Sequence, residues 1–164
     1  MFTLIITVMK EEIKKMNEAR AYVDGSFNKV TKEFSYGAVI FWQDNEYKFG
    51  EKFNDTELAQ MHNVAGEIAG SCKAMKFAIE HNISKLIIYH DYEGISKWAT
   101  GAWKANKYGT KAYKKFSEEV RKKVILEFVK VKGHSGDKYN DLADRLAAQA
   151  MNSKQVSEVN FFDV

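Results

Sequence analysis

The chain has 164 residues, 45% of them hydrophobic, which is enough for one well-packed domain and excludes a disordered or short disulfide-stapled polypeptide. The formal net charge of +3 is small, so attraction to a polyanion has to come from where charges sit and not from their total. A single cysteine, Cys72, excludes an internal disulfide and any multi-cysteine metal site, and no apolar run approaches a membrane span, so a cytoplasmic protein is expected.

The first 19 residues join an apolar octet, Phe2 to Met9, to the charged stretch Lys10-Glu11-Glu12-Ile13-Lys14-Lys15. They read as an N-terminal extension or linker, with no basic residue ahead of the octet and no cleavage site after it to suggest a secretory signal. Arg20 to Ser26 and Tyr36 to Trp42 have the β-branched and aromatic character of strands, and Asp44-Asn45 turns the second into a third, Glu46 to Phe53. From Asn63 to His81 the apolar spacing becomes helical, with Val64, Ile68, Cys72, Met75 and Ile79 on one stripe. Lys85 to His90 and Val124 to Val131 read as strands buried on both faces, and Gly94 to Thr100 and Thr110 to Lys123 as helices between them. Tyr139 to Met151 is a last helix, and 153–164 reads as a tail. The expected fold is α/β: one mixed five-stranded sheet, hairpin strands followed by parallel ones, with helices packed on its faces and the working domain spanning 20–152.

Four acids occupy telling positions. Asp24 sits within a strand, where an acid needs a partner or a task. Asp91 directly follows an apolar strand, where ligands of open α/β sheets bind, although an Asp there also suits a helix N-cap. Glu67 lies at the margin of its helix's apolar stripe among Ala65, Gly66, Ala69 and Gly70, small residues that suit close helix-to-sheet approach. On the last helix Asp144 is marginal, whereas Asp141 lies opposite the apolar face and is expected in solvent. Acids with no cysteine partner form an oxygen-only ligand set, which selects Mg²⁺ or Mn²⁺ over zinc. Two such ions ~3.5–4 Å apart would hold both the attacking and the leaving oxygen of a phosphodiester displacement. His134, between Gly133 and Gly136, is expected on an exposed loop suited to proton transfer near neutral pH.

Asp24-Gly25-Ser26, Asn63-Val64-Ala65-Gly66-Glu67, Tyr89-His90-Asp91, Gly133-His134-Ser135-Gly136 and Asn140-Asp141-Leu142-Ala143-Asp144-Arg145 resemble, in order and spacing, the motifs of type 1 ribonuclease H. The resemblance spans Ala21 to Met151. It implies an endonuclease that cuts the RNA strand of RNA/DNA hybrids with two Mg²⁺ ions, Mn²⁺ being a possible substitute, and leaves 5′-phosphates. Asp24, Glu67, Asp91 and Asp144 would be the metal-binding carboxylates, with His134 assisting. Tyr92 stands where many relatives have a small polar residue, and Asn63 alone remains of an Asn pair that contacts the hybrid.

Between Lys97 and Lys138, 12 basic residues face 4 acidic ones, a local net charge of +8 interleaved with Trp98, Trp103, Tyr108, Tyr113 and Phe116. Basic and aromatic residues together suit a surface that tracks a nucleic-acid backbone, although Tyr113 and Phe116 are better placed for the core. Hybrid contacts are assigned to Gly25, Ser26, Asn63, Trp103, Lys104, Lys107, Thr110 and Lys111, and the enzyme is expected to work as a monomer. Two competing readings are a DNA-cutting nuclease of the same fold and a non-catalytic hybrid-binding module whose acids serve as caps and ion-pair partners.

Overall fold

The computed structural model describes residues 1–133 and 136–163. The chain runs α1 (Phe2–Met16), β1 (Glu18–Phe27), β2 (Phe34–Trp42), β3 (Asn45–Phe53), α2 (Asn63–Glu80), β4 (Lys85–His90), α3 (Gly94–Thr100), α4 (Tyr108–Arg121), β5 (Ile125–Lys130) and α5 (Lys138–Met151), with a 3₁₀ turn at Leu58–Met61 before α2. The strands form one sheet in the order β3-β2-β1-β4-β5. The pairs β1–β2 and β2–β3 are antiparallel, while β1–β4 and β4–β5 are parallel, as the sequence pattern predicts.

Strand alternation divides the sheet's two faces. Gly70 of α2 lies against Val23 and Tyr36 on one face. On the other, the Ser35 hydroxyl donates to the Ala147 carbonyl of α5 at 2.7 Å, and the Cα of Gly37 sits against the α5 backbone. The core between α2 and the sheet is built from Val23, Tyr36, Ile40, Ile68, Met75, Leu86 and Ile88, all nearly inaccessible. Tyr113 and Phe116 of α4 are buried with them, as helical phase requires.

Several local expectations change. The β2–β3 turn is made by Gln43 and Asp44, both with positive φ (51° and 61°), not by Asp44-Asn45, because Trp42 already pairs with Asn45. The helix expected from Thr110 begins at Tyr108: Thr110 is its third residue and its hydroxyl receives the Lys107 N–H at 3.1 Å, which caps the helix two residues earlier. β5 is not buried on both faces, since α5 covers β1, β2 and β3 and leaves Ile125 63% and Val129 39% exposed at the sheet edge. The N-terminal stretch forms the helix α1, free of Gly and Pro, with Phe2, Leu4 and Met9 exposed. β1 starts at Glu18, two residues before the strand expected from Arg20. The segment after α5 has no regular structure, yet Phe161 is buried edge-on against Phe53 (5.1 Å between ring centres), and the nearly buried Lys52 ammonium donates to the carbonyls of Met151 and Ser153. Among the described residues no helix is long and apolar enough to cross a membrane.

A Cβ at Gly37 would collide with the Ala143 carbonyl and lie 2.6 Å from the Ala147 nitrogen. Gly37→Ala is therefore expected to destabilise the protein by about 1–3 kcal/mol, read as a lower denaturation midpoint in urea. An unchanged midpoint would show that α5 can lift off β2 at no cost.

Candidate active site

Three elements deliver three acids to the carboxyl end of the parallel strands. Asp24 is the seventh residue of the central strand β1, opposite Gly37 of β2. Glu67 lies one turn into α2, and Asp91 is the first residue past β4. The close approach is made possible by glycine: a Cβ on Gly25 would fall on the Asn63 carbonyl and 2.6 Å from the Glu67 nitrogen, so only glycine lets β1 meet the first turn of α2. On the far side, a Cβ on Gly133 would lie 3.0 Å from the Asp91 Oδ2, which places the chain after β5 against the Asp91 carboxylate.

One oxygen from each of Asp24, Glu67 and Asp91 lies within 4.8 Å of the others, close enough to share one cation. Glu67 is fully buried, and among the described residues neither of its carboxylate oxygens has a well-formed hydrogen bond, only the Asp91 N–H facing it. Asp24 is 7% exposed and accepts the Gly25 N–H at 2.9 Å. Asp144, half-buried on α5, comes from the opposite face of the sheet and meets the cluster through Asp24, without joining the mutual set of three. Burial, then the Asp91 carboxylate, then Asp144 push Asp24 from its ordinary 3.8 up to about 8, with the Gly25 N–H opposing. Burial, then the Asp91 and Asp24 carboxylates, push Glu67 from 4.5 to about 10, with the Asp91 N–H opposing. Acceptor oxygens short of donors, crowded among like charges, fit a divalent cation: its charge would make up for the missing donors and return the acids to their ionised form.

The structural alternatives for these acids fall away. Glu93, not Asp91, is the N-cap of α3, and the N-cap of α2 is His62 (φ 56°), which leaves Asn63 exposed in the first turn and not capping. Asp137 caps α5, accepting the N–H groups of Tyr139 and Asn140 at 3.0 Å each. Asp141, expected in solvent, is half-buried like Asp144. His134 lies outside the described residues.

Three of the assigned contact residues, Lys104, Lys107 and Thr110, line a groove at Tyr92, the residue after Asp91. With a volume of about 310 Å³, it is lined by Gln60, Met61, Val64, Tyr92, Trp98, Lys104, Asn106, Lys107 and Thr110. Trp103 joins its wall by packing edge-on against Trp98 (5.8 Å) and Tyr92 (6.4 Å), and Lys111 is exposed on the adjoining turn of α4. Thr110 is buried with its hydroxyl engaged at the start of α4, whereas Lys104 and Lys107 are exposed. Gln60, Val64, Tyr92 and Asn106 are absent from the sequence-based contact set, because they come from four separate segments and no spacing rule links them.

Comparison with known proteins agrees with this arrangement. The family model for RNase H matches residues 16–152. The ribonuclease H of Brucella anthropi is 34% identical over 146 residues, covering 83% of this chain and 91% of its own, and that of a Wolbachia strain from Drosophila simulans is 30% identical over 140 residues, covering 82% and 95%. Among solved structures, RNase H1 from Halobacterium salinarum superposes with a TM-score of 0.67 at 20% identity over 82% of this chain and 97% of its own. LC11-RNase H1 in complex with an RNA/DNA hybrid does so with a TM-score of 0.65 at 17% identity, over 80% and 95%. The chain belongs to the RNase H family. It is accordingly an endoribonuclease that hydrolyses the RNA strand of RNA/DNA hybrids.

The raised acids carry a stability consequence. Both hold their protons in the folded, cation-free protein to higher pH than in the unfolded chain, so the stability they contribute is complete below their unfolded values and is lost as pH rises through about 8 for Asp24 and about 10 for Glu67. In EDTA the melting temperature is expected to fall between about pH 5 and pH 9, to fall less in Glu67→Gln, and to recover with a divalent cation. A melting temperature in EDTA that rises over this range, equally in wild type and Glu67→Gln, would show that the acids are not crowded.

Proposed function

We propose that Asp24, Glu67, Asp91 and Asp144 hold two Mg²⁺ ions with which this ribonuclease H cuts its substrate, Mn²⁺ serving as a substitute. The observation that carries the reading is the convergence of the Asp24, Glu67 and Asp91 oxygens within 4.8 Å, with both buried Glu67 oxygens lacking a well-formed hydrogen bond among the described residues. When bound, the ions supply the positive charge that ionises a water and stabilises the departing oxygen. The residues do the rest. Asp24 and Asp91 stand at the strand ends where the scissile phosphate of the RNA strand would lie, Glu67 closes the site from α2, and Asp144 approaches from α5. Displacement at phosphorus, with the 3′-oxygen leaving, yields a 5′-phosphate. His134, which directly follows Gly133 in the sequence, assists proton transfer.

The groove along Tyr92, Trp98, Lys104 and Lys107 takes the hybrid's backbone, with Trp103 and Lys111 at its border, Thr110 in its wall, and Gly25, Ser26 and Asn63 beside the carboxylates. Apolar and aromatic walls with cationic rims suit sugar and phosphate better than a soluble metabolite. The proposal takes the enzyme as a monomer, since one chain carries all four acids, working in the cytoplasm, where the buried thiol of Cys72 stays unpaired.

Labelled hybrid, RNA duplex and DNA duplex, each with Mg²⁺ or EDTA, test the reading directly. Only hybrid with Mg²⁺ should be cut. Asp91→Asn is expected to bind hybrid but cleave it at least about 10²–10³-fold more slowly, and Asp144→Asn to lose more activity than Asp141→Asn. Cleavage in EDTA, or full activity of Asp91→Asn, would falsify the metal-ion reading.

Replacing Lys104, Lys107 and Lys111 by Ala should raise KM and flatten the salt dependence by about one unit of slope per lost phosphate contact, with kcat nearly unchanged. An unaltered slope would move the binding surface off α4.

A further inference from the structure

The direction of Asp91 is set by its neighbour. Asp91 lies just past the end of β4, so no ladder bond of its own holds it, yet its carboxylate must meet those of Asp24 and Glu67. Three contacts converge on His90, the last residue of β4 and fully buried. Its Nδ1 lies 2.9 Å from the Tyr92 carbonyl oxygen, its own carbonyl accepts the Val131 N–H at 2.7 Å, and its ring meets Phe128 nearly edge-on, 6.0 Å between centres. A carbonyl can only accept, so Nδ1 carries the proton. Nε2 is then a bare acceptor, buried and without a partner among the described residues.

This is an expensive residue for the core. Leu86 and Ile88 precede His90 on the same strand face, and an apolar side chain would continue their packing without leaving an orphaned polar atom. What the imidazole adds is a bond that straddles Asp91, from residue 90 to the carbonyl of residue 92, fixing the peptides on both sides of the acid. Through its own carbonyl, His90 also holds Val131, two residues before the Gly133 that abuts the Asp91 Oδ2.

We propose that His90 is a positioning residue for hydrolysis, aiming the Asp91 carboxylate at the shared cation site through its Nδ1–H bond to the Tyr92 carbonyl. The inference rests on the carboxylate reading given under Proposed function. Groups that orient a metal ligand typically account for about 10–100-fold in metal affinity or activity, which sets the effect to look for.

The test compares wild type, His90→Leu, His90→Asn and His90→Gln for melting temperature, Mg²⁺ affinity by calorimetry, and kcat and KM on hybrid. Asn carries an N–H donor close to the position of Nδ1, whereas the Gln amide lies one bond farther out. His90→Leu is expected to keep or raise the melting temperature, leave KM within about twofold, and lower kcat and Mg²⁺ affinity by about 10–100-fold. His90→Asn should recover most of both losses, and His90→Gln should not. If His90→Leu does not fold, the Asn and Gln pair decides. Equal kcat and Mg²⁺ affinity in Asn and Gln variants, or a His90→Leu enzyme within twofold of wild type in both, overturns the proposal. Metal-independent cleavage by the wild type would overturn the carboxylate reading instead, so the two failures are told apart.

Discussion

Like charges crowded out of water are the constraint around which this molecule is organised. Bringing Asp24, Glu67 and Asp91 within reach of one ion costs desolvation and mutual repulsion, both visible in acids that hold their protons far above the ordinary range. Such a cluster persists only where the surrounding structure over-determines it. Here the central strand, β2 and the first turns of α2 meet through backbone contacts that tolerate no side chain at Gly25 or Gly66, and a Cβ on Gly66 would strike the Ser35 carbonyl. Glycine costs helix stability, on the order of 1 kcal/mol, and at Gly66 that cost is accepted for the sake of approach.

The acids and the basic, aromatic groove occupy two regions that meet at Asp91 and Tyr92. The acids sit at the sheet, held by the most deeply buried elements of the fold. The cations sit on the α3–α4 segment, whose lysines are exposed and whose aromatic residues, Tyr92, Trp98 and Trp103, pack edge to edge into a groove wall. A net +8 over Lys97 to Lys138 and −5 in the remainder of the chain explains how a protein of near-neutral total charge can carry a strongly positive region.

The two ends of the chain differ in how they relate to this unit. Nearly all of α1 lies ahead of the residues on which family membership rests, and its Phe2, Leu4, Ile5, Ile6, Val8 and Met9 side chains are exposed. The segment after α5 is tied down instead: Phe161 enters the core, and Lys52, ion-paired with Glu33 at 3.5 Å, gathers the carbonyls that follow the helix. Lacking any period, the segment gave no sign of this packing, which depends on a lysine 99 residues away from Met151.

Sequence alone determined the order of elements from β1 to α5 and the inward phase of Tyr113 and Phe116, and it singled out Asp24, Glu67 and Asp91, because these depend on local periodicity and on residue types that a sheet or a helix margin does not otherwise favour. The exposure of β5, the Lys107–Thr110 cap, the start of α2 after His62 and of α3 after Glu93, and the burial of Phe161 were decided only in three dimensions. So were the groove and the His90 clamp. Each depends on which distant segments become neighbours. Periodicity predicts that a face is buried, but not against what, and a buried histidine reads in sequence as one more residue of an apolar strand until the carbonyl it binds has been placed beside it.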